Sequence, residues 1–146
     1  MKKAFFFLLF FLIVVWAQAQ LGKIPAEVTD AFVARYPHAT HVEWRNKLHV
    51  YEAHFKLNSY IITASFSSKG EWEGSERELE FNQLPGEVVD GFSKSKYADR
   101  EKKTAYEVQV LGKPLQYRIN VQKSGIQKKN LYFDANGKLL KESIVL

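Results

Sequence analysis

Apolar residues four positions apart mark two short helices. Val28 and Phe32 share one helical face, and Val88 and Phe92 repeat the spacing sixty positions later. Each pair sits in a recurring string. Ile24-Pro25-Ala26-Glu27-Val28-Thr29-Asp30-Ala31-Phe32 returns as Leu84-Pro85-Gly86-Glu87-Val88-Val89-Asp90-Gly91-Phe92, with five of the nine residues identical. Pro25 and Pro85 suit a first helical position, and Glu27 and Glu87 suit the first turn of a helix dipole. The pattern predicts helices over Pro25–Tyr36 and Pro85–Lys96, the first stopped by Pro37. Helices this short need a surface to lie on.

Alternating stretches supply that surface. Val42, Trp44, Tyr51, Ala53 and Phe55 share one parity about Asn46-Lys47. A turn at those two residues would set Trp44 opposite His49 and Val42 opposite Tyr51. A turn at Gly112-Lys113 would likewise set Val110 opposite Leu115 and Val108 opposite Tyr117, with Ile119 and Val121 continuing the apolar side. A second hairpin follows each first one. Tyr60 to Phe66 turns through Ser67-Ser68-Lys69-Gly70, and Asn130 to Phe133 turns through Asp134-Ala135-Asn136-Gly137. Gly70 and Gly137 are predicted at positive φ. Glu71 and Glu73 share one parity while Glu76, Glu78 and Glu80 share the other, so a bulge is predicted at Gly74.

The order is therefore α-β-β-β-β, twice. The predicted class is α+β: two tandem units, residues 20–80 and 81–146, forming one compact domain with helices on one face of antiparallel sheet. Val28, Phe32, Val42, Trp44, Tyr51, Phe55, Val88, Phe92, Val108, Val110, Tyr117, Ile119 and Phe133 are the expected core.

The chain begins with a targeting pattern. Lys2 and Lys3 precede an apolar run from Ala4 to Ala17, and Ala17-Gln18-Ala19 offers a small-x-small cleavage site. The run is short for a membrane span. Residues 1–19 are expected to be a signal peptide cut near Ala19, leaving a periplasmic or secreted protein with no membrane attachment. With no Cys in the chain, disulfides and thiol chemistry are excluded, and stability must come from packing. Residues 20–80 carry 7 basic and 9 acidic side chains, and residues 81–146 carry 12 and 7. That balance is too mild for a dedicated nucleic-acid binder, but its asymmetry can steer a charged partner.

Candidate chemistry is sparse. The sequence holds no G-x-S-x-G elbow, no H-E-x-x-H and no phosphate loop, so neither an enzyme nor a cofactor is expected. His41, Glu52 and His54 would share the polar side of the first hairpin, His41 opposite Glu52. A zinc site there is conceivable, but a solvated cross-strand patch explains them better and no metal is expected. The glutamates of 71–80 lack calcium-loop spacing and suit a strand guarded against edge pairing. Arg100, Lys102 and Lys103, interrupted by Glu101, suit a solvated link. Glu107 and Arg118 are expected to pair across the second unit's first hairpin.

These features together resemble the PepSY-like family of beta-lactamase-inhibitor-like proteins. The carrying residues are the Ile24-Pro25…Val28…Phe32 and Leu84-Pro85…Val88…Phe92 openings, the two hairpins, and the ending Phe133-Asp134-Ala135-Asn136-Gly137-Lys138-Leu139-Leu140. The resemblance spans essentially the whole chain after residue 19. It implies a short exported protein of the Bacteroidetes type, and a fold like that of a beta-lactamase inhibitor protein, with helices on one face of a curved sheet and an enzyme bound by the other. PepSY modules elsewhere occur in peptidase propeptides and are associated with peptidase restraint.

The expected function is therefore non-enzymatic binding of another exported protein, as an inhibitor or modulator acting by occlusion. The surface expected to do it is the polar sheet face, carrying Glu43, Arg45, Glu52, His54, Gln109, Arg118 and Asn120. The alternative is a small-ligand or metal sensor of the cell envelope, with its ligand in a cleft between the units.

Overall fold

The structure, a computed structural model, describes residues 23–125 and 127–145. The signal-peptide expectation falls outside that range. Helix α1 spans Ala26–Arg35 and is followed by strands β1 (Thr40–Lys47), β2 (Val50–Leu57), β3 (Tyr60–Ser67) and β4 (Trp72–Leu79). A short 3-10 turn at Phe81–Gln83 leads to α2 (Gly86–Ser93), then β5 (Glu101–Val110), β6 (Gln116–Lys123), β7 (Gln127–Asp134) and β8 (Leu139–Ile144). The eight strands form one antiparallel sheet in chain order. The halves are thus continuous, joined where β4 pairs β5 from Gly74↔Val110 to Leu79↔Ala105.

Both helices begin one residue later than the prolines suggested. Pro25 and Pro85 are the cap residues, and each carbonyl accepts bonds from the third and fourth amides beyond it. α2 ends at Ser93 rather than Lys96. There Ser93 Oγ donates to the Val89 carbonyl at 2.9 Å and Ser95 Oγ donates to the Phe92 carbonyl at 2.7 Å, side-chain bonds that compete with helix propagation. The chain continues in turns that bury Tyr97.

Each helix lays its Val/Phe stripe on the same side of the sheet, over a separate apolar cluster. Under α1, Val28 and Phe32 meet Ala53, Phe55, Ile62, Ala64 and Phe66. Phe32 stacks edge-on to Phe55 and Trp44 at centroid distances of 5.0 and 5.2 Å, geometry that aromatic quadrupoles favour. Under α2, Val88 and Phe92 meet Leu79, Tyr97, Ala105, Ile119, Val121, Leu131 and Phe133. Between the clusters runs a polar seam. Arg77 stands opposite both Ile62 and Glu107, and donates to Glu107 Oε2 at 2.9 Å.

Several expectations hold. Gly70 and Gly137 lie at φ +78° and +79°, and each turn packs directly under the first turn of its helix. The bulge falls at Gly74, where pairing slips between Ser65↔Gly74 and Phe66↔Trp72. Others need correction. The first hairpin turns at Leu48-His49, both at positive φ, and not at Asn46-Lys47, so Trp44 faces Ala53. This slip is even, so every side chain keeps its face. Val42 is nevertheless 38% exposed, because a bulge between Thr40 and Glu43 breaks the ladder at His41, φ 52°.

In the second half the slip is odd. Val108 faces Gln116, Glu107 faces Tyr117 and Ala105 faces Ile119. Pro114 has no N–H to give to the ladder, so the tight turn at Gly112-Lys113 cannot close and β6 begins only at Gln116. Val108 and Val110 therefore lie on the other side of the sheet, outside the two clusters under the helices, where Val108 is still buried at 5% exposure and Val110 is half-buried. The glutamate-rich β4 is an interior strand, not a guarded edge. Lys102 and Lys103 belong to β5, not to a loop.

Candidate functional site

The sheet side away from the helices carries no other element among the described residues. Strand alternation places its side chains row by row. Glu43, His54, Thr63, Glu76, Val108 and Gln116 form one cross-strand row, and Arg45, Glu52, Ser65, Gly74 and Val110 the next. A third row runs Glu78, Tyr106, Arg118, Tyr132 and Lys141.

Six of the seven anticipated surface residues lie on this face: Glu43, Arg45, Glu52, His54, Arg118 and Asn120. Gln109 does not. The odd register turns it to the helix side, in step with Glu107, and Val108 and Val110 take the places beside it. The supposed Glu107–Arg118 pair is split for the same reason. Arg77 takes Glu107, while Arg118 Nη1 donates to Glu76 Oε1 at 2.5 Å. Arg45, not His41, stands opposite Glu52, and Glu43 stands opposite His54. His41, Glu52 and His54 are therefore not gathered as a metal set, and no group of three acidic, His or Cys ligands converges among the described residues. His54 Nδ1 instead meets Thr63 Oγ1 at 3.0 Å.

The two halves of the face differ in chemistry. On β1–β4 the charges are mixed: Lys47 pairs with Glu52 at 2.7 Å, and Glu43, Glu76 and Glu78 stand among Arg45 and Lys56. On β5–β8 the centre is aromatic and cationic. The Arg118 guanidinium lies 4.2 Å from the Tyr106 ring centroid, and Lys141 Nζ lies 4.2 Å from that of Tyr132. Arg118 is held, with only 15% of its side chain exposed. Its Nε, Thr104 Oγ1 and Asn120 Oδ1 are buried there without hydrogen-bond partners. Tyr and Arg on a polar ground are the residue types that dominate binding energy at protein interfaces.

The row Tyr106–Arg118–Tyr132–Lys141 was missed in the sequence, except for Arg118. Tyr106 and Tyr132 alternate with Ala105 and Leu131, which are wholly buried. That alternation placed them on the outer face once a register for β5 and β6 was known.

On the helix side Tyr117 is buried beside the seam. Its burial first, and then the Glu107 carboxylate, push its phenol above the ordinary value of 10.0, with Arg77 opposing them.

Solved structures share this fold. A BLIP-like protein from Bacteroides fragilis is 27% identical, with TM-score 0.76, over 85% of this chain and 89% of that one. A DUF2874 family protein from Bacteroides ovatus is 25% identical, with TM-score 0.79, over 84% and 89%. A protein from Bacteroides eggerthii, described as "putative periplasmic", is 23% identical, with TM-score 0.78, over 85% and 91%, a likeness in fold. No curated protein matches. No helix among the described residues is long and apolar enough to cross a membrane. The family model described as "Putative beta-lactamase-inhibitor-like, PepSY-like" matches residues 49–141, and this chain belongs to that family.

Proposed function

We infer that the chain is a non-enzymatic protein-binding module that covers a functional surface of another exported protein. The observation that supports this best is the open sheet face, with its Tyr106–Arg118–Tyr132–Lys141 row already fixed by strand pairing and stacking. Side chains held in this way lose little rotamer freedom on docking, which keeps the cost of association low. Membership of an inhibitor-like family is consistent with occlusion, with no covalent step. An exported location agrees with the signal-like pattern of residues 1–19 and with the periplasmic description of the B. eggerthii relative. We also take the two helix-plus-four-strand runs as copies of one unit, specialised on their open faces. The partner belongs to the same compartment, and neither nucleic acid nor membrane is part of this reading.

The test is affinity capture from periplasmic extract, with recovered partners re-measured against purified variants. Tyr132→Ala with Lys141→Glu should weaken a true partner by at least tenfold, as loss of an interface hot spot does. Val33→Lys, on the exposed side of α1, should leave it unchanged. A partner that responds to Val33→Lys and ignores the sheet-face variant would place binding on the helices and refute the proposal.

A further inference from the structure

On the helix side, the polar seam opens into a cleft of about 410 Å³ beside the end of α1. Ser75 and Arg77 of β4 and Glu107 and Gln109 of β5 form its floor, and Ile62, Arg35 and Tyr36 its wall. We propose that this cleft is a binding site for a small organic monocarboxylic acid, its carboxylate held between the Arg35 and Arg77 guanidiniums and its apolar body against Ile62 and Tyr36. The site lies across the sheet from the face described above and does not depend on it.

The charges select the ligand. Two guanidiniums line the cleft against one carboxylate, so one positive charge is left unanswered. Arg77 is fixed by stacking 4.6 Å from the Tyr60 centroid and by its bond to Glu107, and 35% of its side chain stays open to the cleft and solvent. Arg35 lies 3.9 Å from the Trp72 ring centroid and enters none of the ion pairs among the described residues. A guanidinium stacked in this manner keeps its N–H edge for an acceptor, and its planar fork matches a carboxylate. Ser75 and Gln109 add neutral donors.

A single negative charge fits better than two. Glu107 and the negative C-terminal pole of α1 both repel a second charge, which disfavours a phosphate dianion. The volume is that of a small-molecule site at the lower end of the usual range.

The test is a ¹⁵N NMR titration of the purified exported chain with acetate, hexanoate and benzoate, using benzamide as the neutral isostere and inorganic phosphate as the dianion. Saturable shifts at Tyr36, Ser75, Arg77 and Gln109 are expected with hexanoate or benzoate, none with benzamide, and weaker binding of phosphate. Arg35→Gln should lower the carboxylate affinity roughly tenfold, the effect of one charge-assisted bond. Its melting temperature should stay within a few degrees of the parent, because Arg35 is exposed. Saturation by none of the three acids, an equal response to benzamide, tighter binding of phosphate, or an Arg35→Gln affinity equal to the parent would each overturn the proposal. None of these results bears on capture by the opposite face.

Discussion

Replacing Gly137 by Ala should be among the most damaging single-methyl changes in the molecule. The residue sits at φ +79°, where a Cβ costs about 1–2 kcal/mol. Part of that is offset, because Ala also restricts the unfolded chain by about 0.4–1 kcal/mol. The larger effect is steric. A Cβ built on Gly137 falls 2.6 Å from the Glu87 carbonyl carbon, closer still to its oxygen, and 3.4 Å from the Val88 amide nitrogen. These are backbone atoms in the first turn of α2, so no side-chain rotation relieves them. The helix must lift by the better part of an ångström, and Val88 and Phe92 are its two buried residues. Overpacking of this type costs about 1–3 kcal/mol. The combined loss should be about 3 kcal/mol, a large share of a typical total of roughly 5–15 kcal/mol.

Gly112 is the internal control. Its φ is +72°, but a Cβ there meets nothing within 4 Å. Gly112→Ala should therefore lose only about 1 kcal/mol from the backbone term. Urea denaturation reads both variants directly. At about 4 °C per kcal/mol for a domain of this size, the melting temperatures should fall by roughly 12 and 4 °C. Equal losses in the two variants would refute close packing of the β7–β8 turn beneath α2, and with it the described seat of that helix on the sheet.

Three further outcomes follow from particular contacts. Val42→Ala should cost less than about 0.5 kcal/mol, whereas Phe55→Ala, 1% exposed, should cost about 3–5 kcal/mol by urea denaturation, in keeping with Val42 lying outside the core. The raised phenol of Tyr117 makes the folded state hold its proton longer than the unfolded state does. Its contribution to stability is then complete below pH 10 and is lost as pH rises through the folded value, so the urea midpoint should fall more between pH 8 and 10.5 in the parent than in Tyr117→Phe. Lys47→Ala should change stability by under about 1 kcal/mol despite its 2.7 Å pair with Glu52, because 60% of the lysine side chain is exposed and water screens it; thermal melts at low and high salt check this.

The helices and most of the core were legible because they rest on local periods. The Val/Phe spacing survives any change in tertiary context, and the bulge at Gly74 announced itself by a parity change. Register was less legible. Leu48-His49 adopts a turn with both residues at positive φ, yet neither residue is Gly, Asn or Asp, so nothing in the residue types marks it. Asn46-Lys47 looked better and was wrong by two residues at each strand. The single eight-stranded sheet was also hidden. The β4–β5 pairing joins segments separated by a helix, and no turn residue advertises it. The residues of the open face followed the same division. Glu43, Arg45, Glu52 and His54 survived an even slip, while Gln109 was lost to an odd one.

That odd slip has consequences on both sides of the sheet. Had Gly112-Lys113 closed a tight turn, Glu107 and Gln109 would lie on the open face and Val108 and Val110 on the helix side, in the seam between the clusters. Pro114 prevents that closure by withholding an N–H, and the ladder closes instead with Val108 opposite Gln116. The open face thereby loses a carboxylate and gains the half-buried Tyr106 and Val110 beside Arg118 and Tyr132. It becomes a surface with aromatic and aliphatic area to bury, at about 25 cal/mol per Å², where a purely hydrated plane would offer little. On the opposite side Glu107 meets Arg77, and the two apolar clusters stay separate instead of merging into one. An alternating strand pairs the two results: whatever one register places outside, it removes from inside. A single residue without an amide proton thus sets both the aromatic ground of the open face and the charged floor of the cleft behind it.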